Sequence, residues 1–128
     1  MTGAVLDASA ILAVVQGEPT GSRIEPFLQG ALVSAVNWAE VVGRLLETGA
    51  PEAEVRGIPG KFKFLVVPFD PEDAVEAGRL RIRTRSEGLS LADRACLALA
   101  FARGLPAVTT DRAWGRLGLG AAVRVVRR

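Results

Sequence analysis

Histidine is absent from this 128-residue chain. That excludes His-dependent triads, imidazole acid–base chemistry and most transition-metal sites. Cysteine occurs once, at Cys96, so no internal disulfide forms and no Cys/His cluster is available for zinc. Long apolar runs are missing too. The longest, Ala95 to Ala102, falls far short of the ~20 residues that a membrane span needs. No basic stretch precedes the first apolar residues, and an acid arrives at Asp7, so no targeting segment is read there. A soluble, cytoplasmic protein with no membrane partner is expected. Catalysis, if present, rests on carboxylates, hydroxyls, Arg or Lys.

What remains is ordinary in composition and uneven in charge. Apolar residues make up 49% and charged residues 23%, which fits a folded chain able to bury roughly two-thirds of its unfolded surface. Residues 1–60 hold three basic and seven acidic side chains, a net of −4, and residues 61–128 hold thirteen and seven, a net of +6. Fourteen of the sixteen basic residues are Arg, whose planar fork suits phosphate. The second half therefore permits a nucleic-acid partner, although a solvated face explains the same composition. Arg79, Arg81, Arg83 and Arg85 alternate, a set that serves either an RNA backbone or a solvated helix surface.

Apolar runs at Gly3–Leu6, Ala31–Ser34, Phe64–Val67, Ala107–Thr109 and Val123–Val126 read as buried strands. Helices are expected over Ala8–Val15, Thr20–Gln29, Val36–Thr48, Pro51–Gly57, Pro71 to about Arg85 and Ser90–Arg103, with a short one over Asp111–Leu117. Strands alternate with helices, which predicts one α/β domain over residues 1–128 with a mainly parallel sheet of about four to five strands.

Four acids stand apart from the rest by neighbourhood. Asp7 ends the strand Ala4-Val5-Leu6, Glu40 lies among Val36, Trp38, Ala39, Val41 and Val42, Asp93 opens an apolar helix, and Asp111 follows Thr109-Thr110. Each has a local explanation. Asp7 and Asp111 suit helix caps, Glu40 suits a pair with Arg44, and Ser90-Leu91-Ala92-Asp93 matches a capping box. Together they say more, because Asp7 and Asp111 sit at carboxyl ends of parallel strands, where open α/β sheets build sites. Converging carboxylates repel unless a cation neutralises them, and a chain without histidine offers oxygen ligands suited to Mg²⁺ or Mn²⁺. Such an ion supports phosphodiester chemistry. At least one carboxyl, Asp93 or Asp7, is expected to titrate above its unfolded value.

Val5-Leu6-Asp7-Ala8-Ser9, Ser34-Ala35-Val36-Asn37-Trp38-Ala39-Glu40-Val41, the stretch Leu89 to Ala100 and Val108-Thr109-Thr110-Asp111-Arg112-Ala113-Trp114 resemble the four acid-bearing blocks of the PIN domain. The resemblance is closest to VapC-type toxins of type II toxin–antitoxin pairs, runs in family order and covers nearly the whole chain. It implies a PIN-like three-layer α/β/α domain and a Mg²⁺- or Mn²⁺-dependent endoribonuclease. It also implies a homodimer held inactive by a small cognate antitoxin. Asp7, Glu40, Asp93 and Asp111 match the acidic quartet, as catalytic residues and metal ligands. Ser9 and Thr109 or Thr110 match the hydroxyl positions that orient them. Arg94 and Arg112, each directly after an acid, are candidate RNA contacts. Trp114 replaces a bulky apolar residue and is read as packing, as is Trp38.

Two other classes compete with a toxin nuclease. One is a non-catalytic PIN-like module that pairs with a DNA-binding partner in a regulatory complex. The other is a phosphate-transferring α/β domain, but Ser9 occupies the place of a second Asp and no Lys follows Lys63.

Overall fold

The computed structural model describes residues 3–127. The expected domain range of 1–128 also takes in Met1, Thr2 and Arg128, which lie outside the described residues. Five short strands, β1 (Val5–Leu6), β2 (Leu32–Ser34), β3 (Leu65–Val67), β4 (Ala107–Thr109) and β5 (Val123–Val125), form one sheet in the order β3-β2-β1-β4-β5. Every pairing is parallel, with Val5 opposite both Leu32 and Ala107. Among the described residues six α-helices fill the connections: α1 (Ala8–Val15), α2 (Gly21–Leu28), α3 (Ala35–Glu47), α4 (Glu52–Phe62), α5 (Pro71–Arg83) and α6 (Leu91–Arg103). The expected α/β class holds, with a sheet that is wholly rather than mainly parallel.

A parallel sheet covered on both faces needs apolar residues on both, which is why its strands read as short continuous apolar runs. Successive side chains point to opposite faces. Val5 and Ala107 enter a cluster with Leu80, Leu97, Ala100 and Trp114, while Leu6, Val33 and Val108 enter another with Ile11, Ile24, Val41 and Val55. Helices α1 to α4 thus supply one layer, and α5 and α6 supply the other. None of them is long and apolar enough to cross a membrane.

Helix ends follow the sequence signals closely. Ser34 caps α3, and α5 opens on a reciprocal Asp70–Asp73 capping box with Pro71 in its first turn. Two expectations are corrected. The helix expected at Pro51–Gly57 runs on through Gly57, Pro59 and Gly60 to Phe62, because Val55 and Ile58 bury one face of it. It ends at Lys63, whose φ of 62° makes it the one non-glycine residue in the left-handed region among those described. The helix expected at Asp111–Leu117 is instead a 3₁₀ segment over Arg112–Arg116.

The strand order places the site. From β1 the chain builds outward through β2 to β3, then crosses to the opposite side of β1 to add β4 and β5. This reversal lies between the carboxyl ends of β1 and β4, the kind of position where open α/β sheets bind ligands.

Candidate active site

The chain leaves the sheet at Asp7, whose carboxylate caps α1. Asp7 Oδ1 accepts the Ala10 amide at 2.9 Å and the Ser9 hydroxyl at 2.7 Å. Asp7 Oδ2 accepts the Thr109 hydroxyl at 2.6 Å, reaching the end of β4 across 102 residues of sequence. Asp7 is 4% exposed and Thr109 is fully buried. The two hydroxyls lie 3.3 Å apart, and each spends its single proton on Asp7. As acceptors they then hold the following chain: Ser9 Oγ takes the Thr110 amide at 3.1 Å and Thr109 Oγ1 takes the Asp111 amide at 3.0 Å. Of the two threonines read from the sequence, Thr109 gives its side chain to this network and Thr110 gives its backbone N–H.

Asp93 sits in the first turn of α6 and is half-buried. The capping box is present: Ser90 Oγ accepts the Asp93 amide at 3.1 Å, and Asp93 Oδ2 accepts the Ser90 amide at 3.0 Å. Its charge also reaches Asp7. Burial, opposed by the bonds from Thr109, Ser9 and Ala10 and assisted by the Asp93 carboxylate, raises Asp7 from 3.8 to about 6. One turn after Asp93, the Cys96 thiol is fully buried. Burial, then Asp7 and Asp93, push it well above its ordinary value, so it stays protonated beneath the two carboxyls.

Asp111 and Glu40 stand outside this pair. Asp111 is exposed and its Oδ1 accepts the Ala113 amide at 2.9 Å, capping the 3₁₀ segment, while its own amide ties it to Thr109. Glu40 is exposed and makes no pair with Arg44; the ion pairs among the described residues are Arg56–Glu52 and Arg79–Glu76. The four acids therefore do not converge as expected. Among the described residues no three His, Cys, Asp or Glu side chains stand close enough to hold a metal ion. Local caps turn Asp93 and Asp111 toward their own helix starts, and Glu40 points to solvent.

The donor chemistry still suits a hard cation. Asp7 and Asp93 are oxygen donors whose charges oppose each other, and neither forms an ion pair among the described residues. Arg94 turns away, its Nη1 donating to the Ala77 carbonyl at 3.3 Å. Arg112 is exposed beside Asp111 and lines an open hollow of about 520 Å³ with Gly115, Val125 and Arg127.

Asn37 belongs to the site's frame and was not singled out from the sequence. It is 1% exposed, and its Nδ2 donates to the Ala92 carbonyl at 3.0 Å, tying α3 to α6 beside Asp93. Its Oδ1 is buried with no partner among the described residues. The available signal was an amide within Val36-Asn37-Trp38-Ala39, where burial demands a partner. Trp38 packs edge-on to Phe64, with ring centroids 5.9 Å apart, and Trp114 is 1% exposed, so both serve packing.

The chain is thus an α/β protein with a buried carboxylate, Asp7, at the carboxyl edge of a parallel sheet and the charge of Asp93 acting on it. A PIN domain model matches residues 4–119, and the chain belongs to the PIN domain family. Its fold is shared by a toxin–antitoxin complex from Klebsiella pneumoniae, at a TM-score of 0.77 and 19% identity over 95% of this chain and 96% of that one. A DNA-bound VapBC from Salmonella typhimurium gives 0.75 and 21% over 98% of both chains. VapC20 from Mycobacterium tuberculosis, a sarcin–ricin loop cleaving toxin, gives 0.73 and 16% over 90% of this chain and 95% of that one. No curated protein sequence matches the chain.

Proposed function

We propose that this chain, as a single PIN-like domain, is a Mg²⁺- or Mn²⁺-dependent endoribonuclease and the toxin of a toxin–antitoxin pair. The observation that carries the reading is Asp7: a buried carboxylate fixed by three donors at the switch point, with a second acid beside it. Family membership and the toxin–antitoxin structures of like fold support it. Asp7 and Asp93 would hold the ion, and Asp111 and Glu40, which stand apart from that pair, would join them as the rest of the acidic set. When bound, such an ion polarises a phosphoryl oxygen and lowers the pKa of a coordinated water. Ser9 and Thr109 fix the direction of the Asp7 lone pairs, so that carboxylate needs no reorganisation when substrate arrives. Arg112, exposed next to Asp111, and Arg94, half-buried after Asp93, would contact substrate phosphate. Asp7→Asn should abolish RNA cleavage in Mg²⁺ or Mn²⁺ and leave the circular dichroism spectrum unchanged. Full activity of a clean Asp7→Asn preparation in EDTA would overturn the reading.

The partner reading rests on a different face. Val15, Leu45, Ala53, Val55, Ile58 and Phe62 line an apolar groove of about 410 Å³ between α1, α3 and α4. This groove supports docking of a small cognate antitoxin segment. On α5, Val75 and Ile82 are exposed at a seven-residue spacing on one side, which supports a homodimer. Co-expression with the neighbouring reading frame should yield a stable complex, and light scattering of the chain alone should report twice 13.5 kDa. A complex with a DNA-binding partner from a chain that cuts no RNA would make it the non-catalytic module instead.

A further inference from the structure

The four alternating arginines of the second half do not share one fate. Arg79 pairs with Glu76 on the exposed side of α5. Arg81 and Arg85 instead line a hollow of about 310 Å³ in the corner between α5 and α6, with Thr84, Ser90 and Arg94. Gly88, at φ 65°, makes the left-handed turn that closes this corner. No carboxylate lines it, and among the described residues none pairs with Arg81, Arg85 or Arg94. Arg94 is half-buried, one end held by the Ala77 carbonyl, with its Nε withdrawn from water and without a hydrogen-bond partner. A partly desolvated guanidinium with no counter-charge strengthens the demand for an anion. The Ser90 hydroxyl accepts from the Asp93 amide, which leaves its own proton as a neutral donor.

We propose that this corner is a phosphate subsite that grips the backbone of single-stranded RNA next to the acidic site. The inference rests on the ribonuclease reading above and adds a location to it. Ser90 is the shared wall: it borders the hollow, and its backbone amide holds Asp93 Oδ2. A strand whose scissile phosphate lies at Asp7 and Asp93 therefore passes a neighbouring phosphate across Arg81, Arg85 and Arg94. Guanidinium forks match phosphate oxygens two at a time. No aromatic side chain lines the hollow, so it has no platform for a base and holds the backbone without reading sequence. A competing explanation is that Arg81 and Arg85 balance the carbonyl end of α5, which makes a stability effect and no effect on RNA.

The test measures binding, separately from cleavage. A labelled single-stranded RNA oligonucleotide is titrated in EDTA with Asp7→Asn protein, alone and with Arg81→Ala and Arg85→Ala added, over a series of salt concentrations. The double replacement should weaken binding and flatten the dependence of log K on log salt by up to about 1.4, at about 0.7 per lost contact to a single strand. Arg79→Ala, the same charge loss on the same helix, should leave both quantities unchanged, and Arg81→Lys with Arg85→Lys should restore the slope. Both arginines are exposed, and melting curves verify folding; the single variants Arg81→Gln and Arg85→Gln give a second measure. Unchanged affinity and slope in the folded double variant overturn the subsite. So does an equal effect of Arg79→Ala, or a parent protein that binds no RNA. A wild-type protein that binds RNA through these arginines and cuts none in Mn²⁺ overturns the nuclease reading and leaves the subsite standing.

Discussion

At Asp7 burial and hydrogen bonding pull in opposite directions. Three donors favour the ionised carboxylate, yet loss of water outweighs them and repulsion from Asp93 adds to the effect, so the carboxyl is pushed up from 3.8 to about 6. The consequence for stability has a definite sign. Below 3.8 the carboxyl is protonated folded and unfolded, and it costs nothing. Between 3.8 and about 6 the unfolded chain releases the proton while the native one keeps it, so stability falls as pH rises. Above about 6 the loss is complete, at about 3 kcal/mol for a rise from 3.8 to about 6. In EDTA, Asp7→Asn should therefore raise the melting temperature at pH 8 and leave it nearly unchanged at pH 4. Adding Mn²⁺ should stabilise the wild type, by about 2.7 kcal/mol at a hundredfold excess over its dissociation constant, and the variant much less. Equal melting temperatures of the two proteins at pH 8 in EDTA would refute this account. The sequence allowed the strain to fall on Asp7 or Asp93; the buried position of Asp7 between β1 and β4 decides in favour of Asp7.

At the level of elements, the acids that looked like caps are caps. Asp7, Asp93 and Asp111 each hold the start of a helix or 3₁₀ segment, and the charge of Asp93 also acts on Asp7. The readings coexist because a helix that follows a parallel strand begins at the edge where the site lies. Strands and helix starts were legible because their signals are local: apolar runs, Ser34, Asp70-Pro71 and Ser90-Leu91-Ala92-Asp93. Glu40 was not, because neighbours in sequence are not neighbours on a helix. Asn37, Val41 and Leu45 form the buried stripe of α3, and Glu40 falls beside it. The end of α4 was hidden for another reason. Gly57, Pro59 and Gly60 disfavour helix, and only tertiary burial of Val55 and Ile58 carries the helix past them. Gly57 has open space around an added Cβ, so Gly57→Ala should stabilise by about 0.5–1 kcal/mol. Gly21 is the opposite case: a Cβ there would lie 2.6 Å from the Ala13 carbonyl oxygen, which only close packing of α1 and α2 explains. Gly21→Ala should lower stability, and denaturant titration of the two variants should show shifts of opposite sign.

For the whole molecule, the strand order joins the beginning of the chain to its last quarter. The Thr109 hydroxyl that clasps Asp7 is made 102 residues after it. Chains are synthesised early parts first, so the residues of β1, β2 and β3 and of α1 to α4 are all made while the strand that pairs with the other side of β1 does not yet exist. During that interval Asp7 lacks its partner from β4, and the acidic edge is unfinished. The apolar groove lined by Val15, Leu45, Val55 and Ile58 draws on nothing beyond Phe62, so all its residues are made well before the clasp. The order of synthesis is thus an order of competence. On the proposed function, a growing chain would offer its docking face first and its RNA-cutting edge late, which would spare the message being translated and give an inhibitor time to arrive.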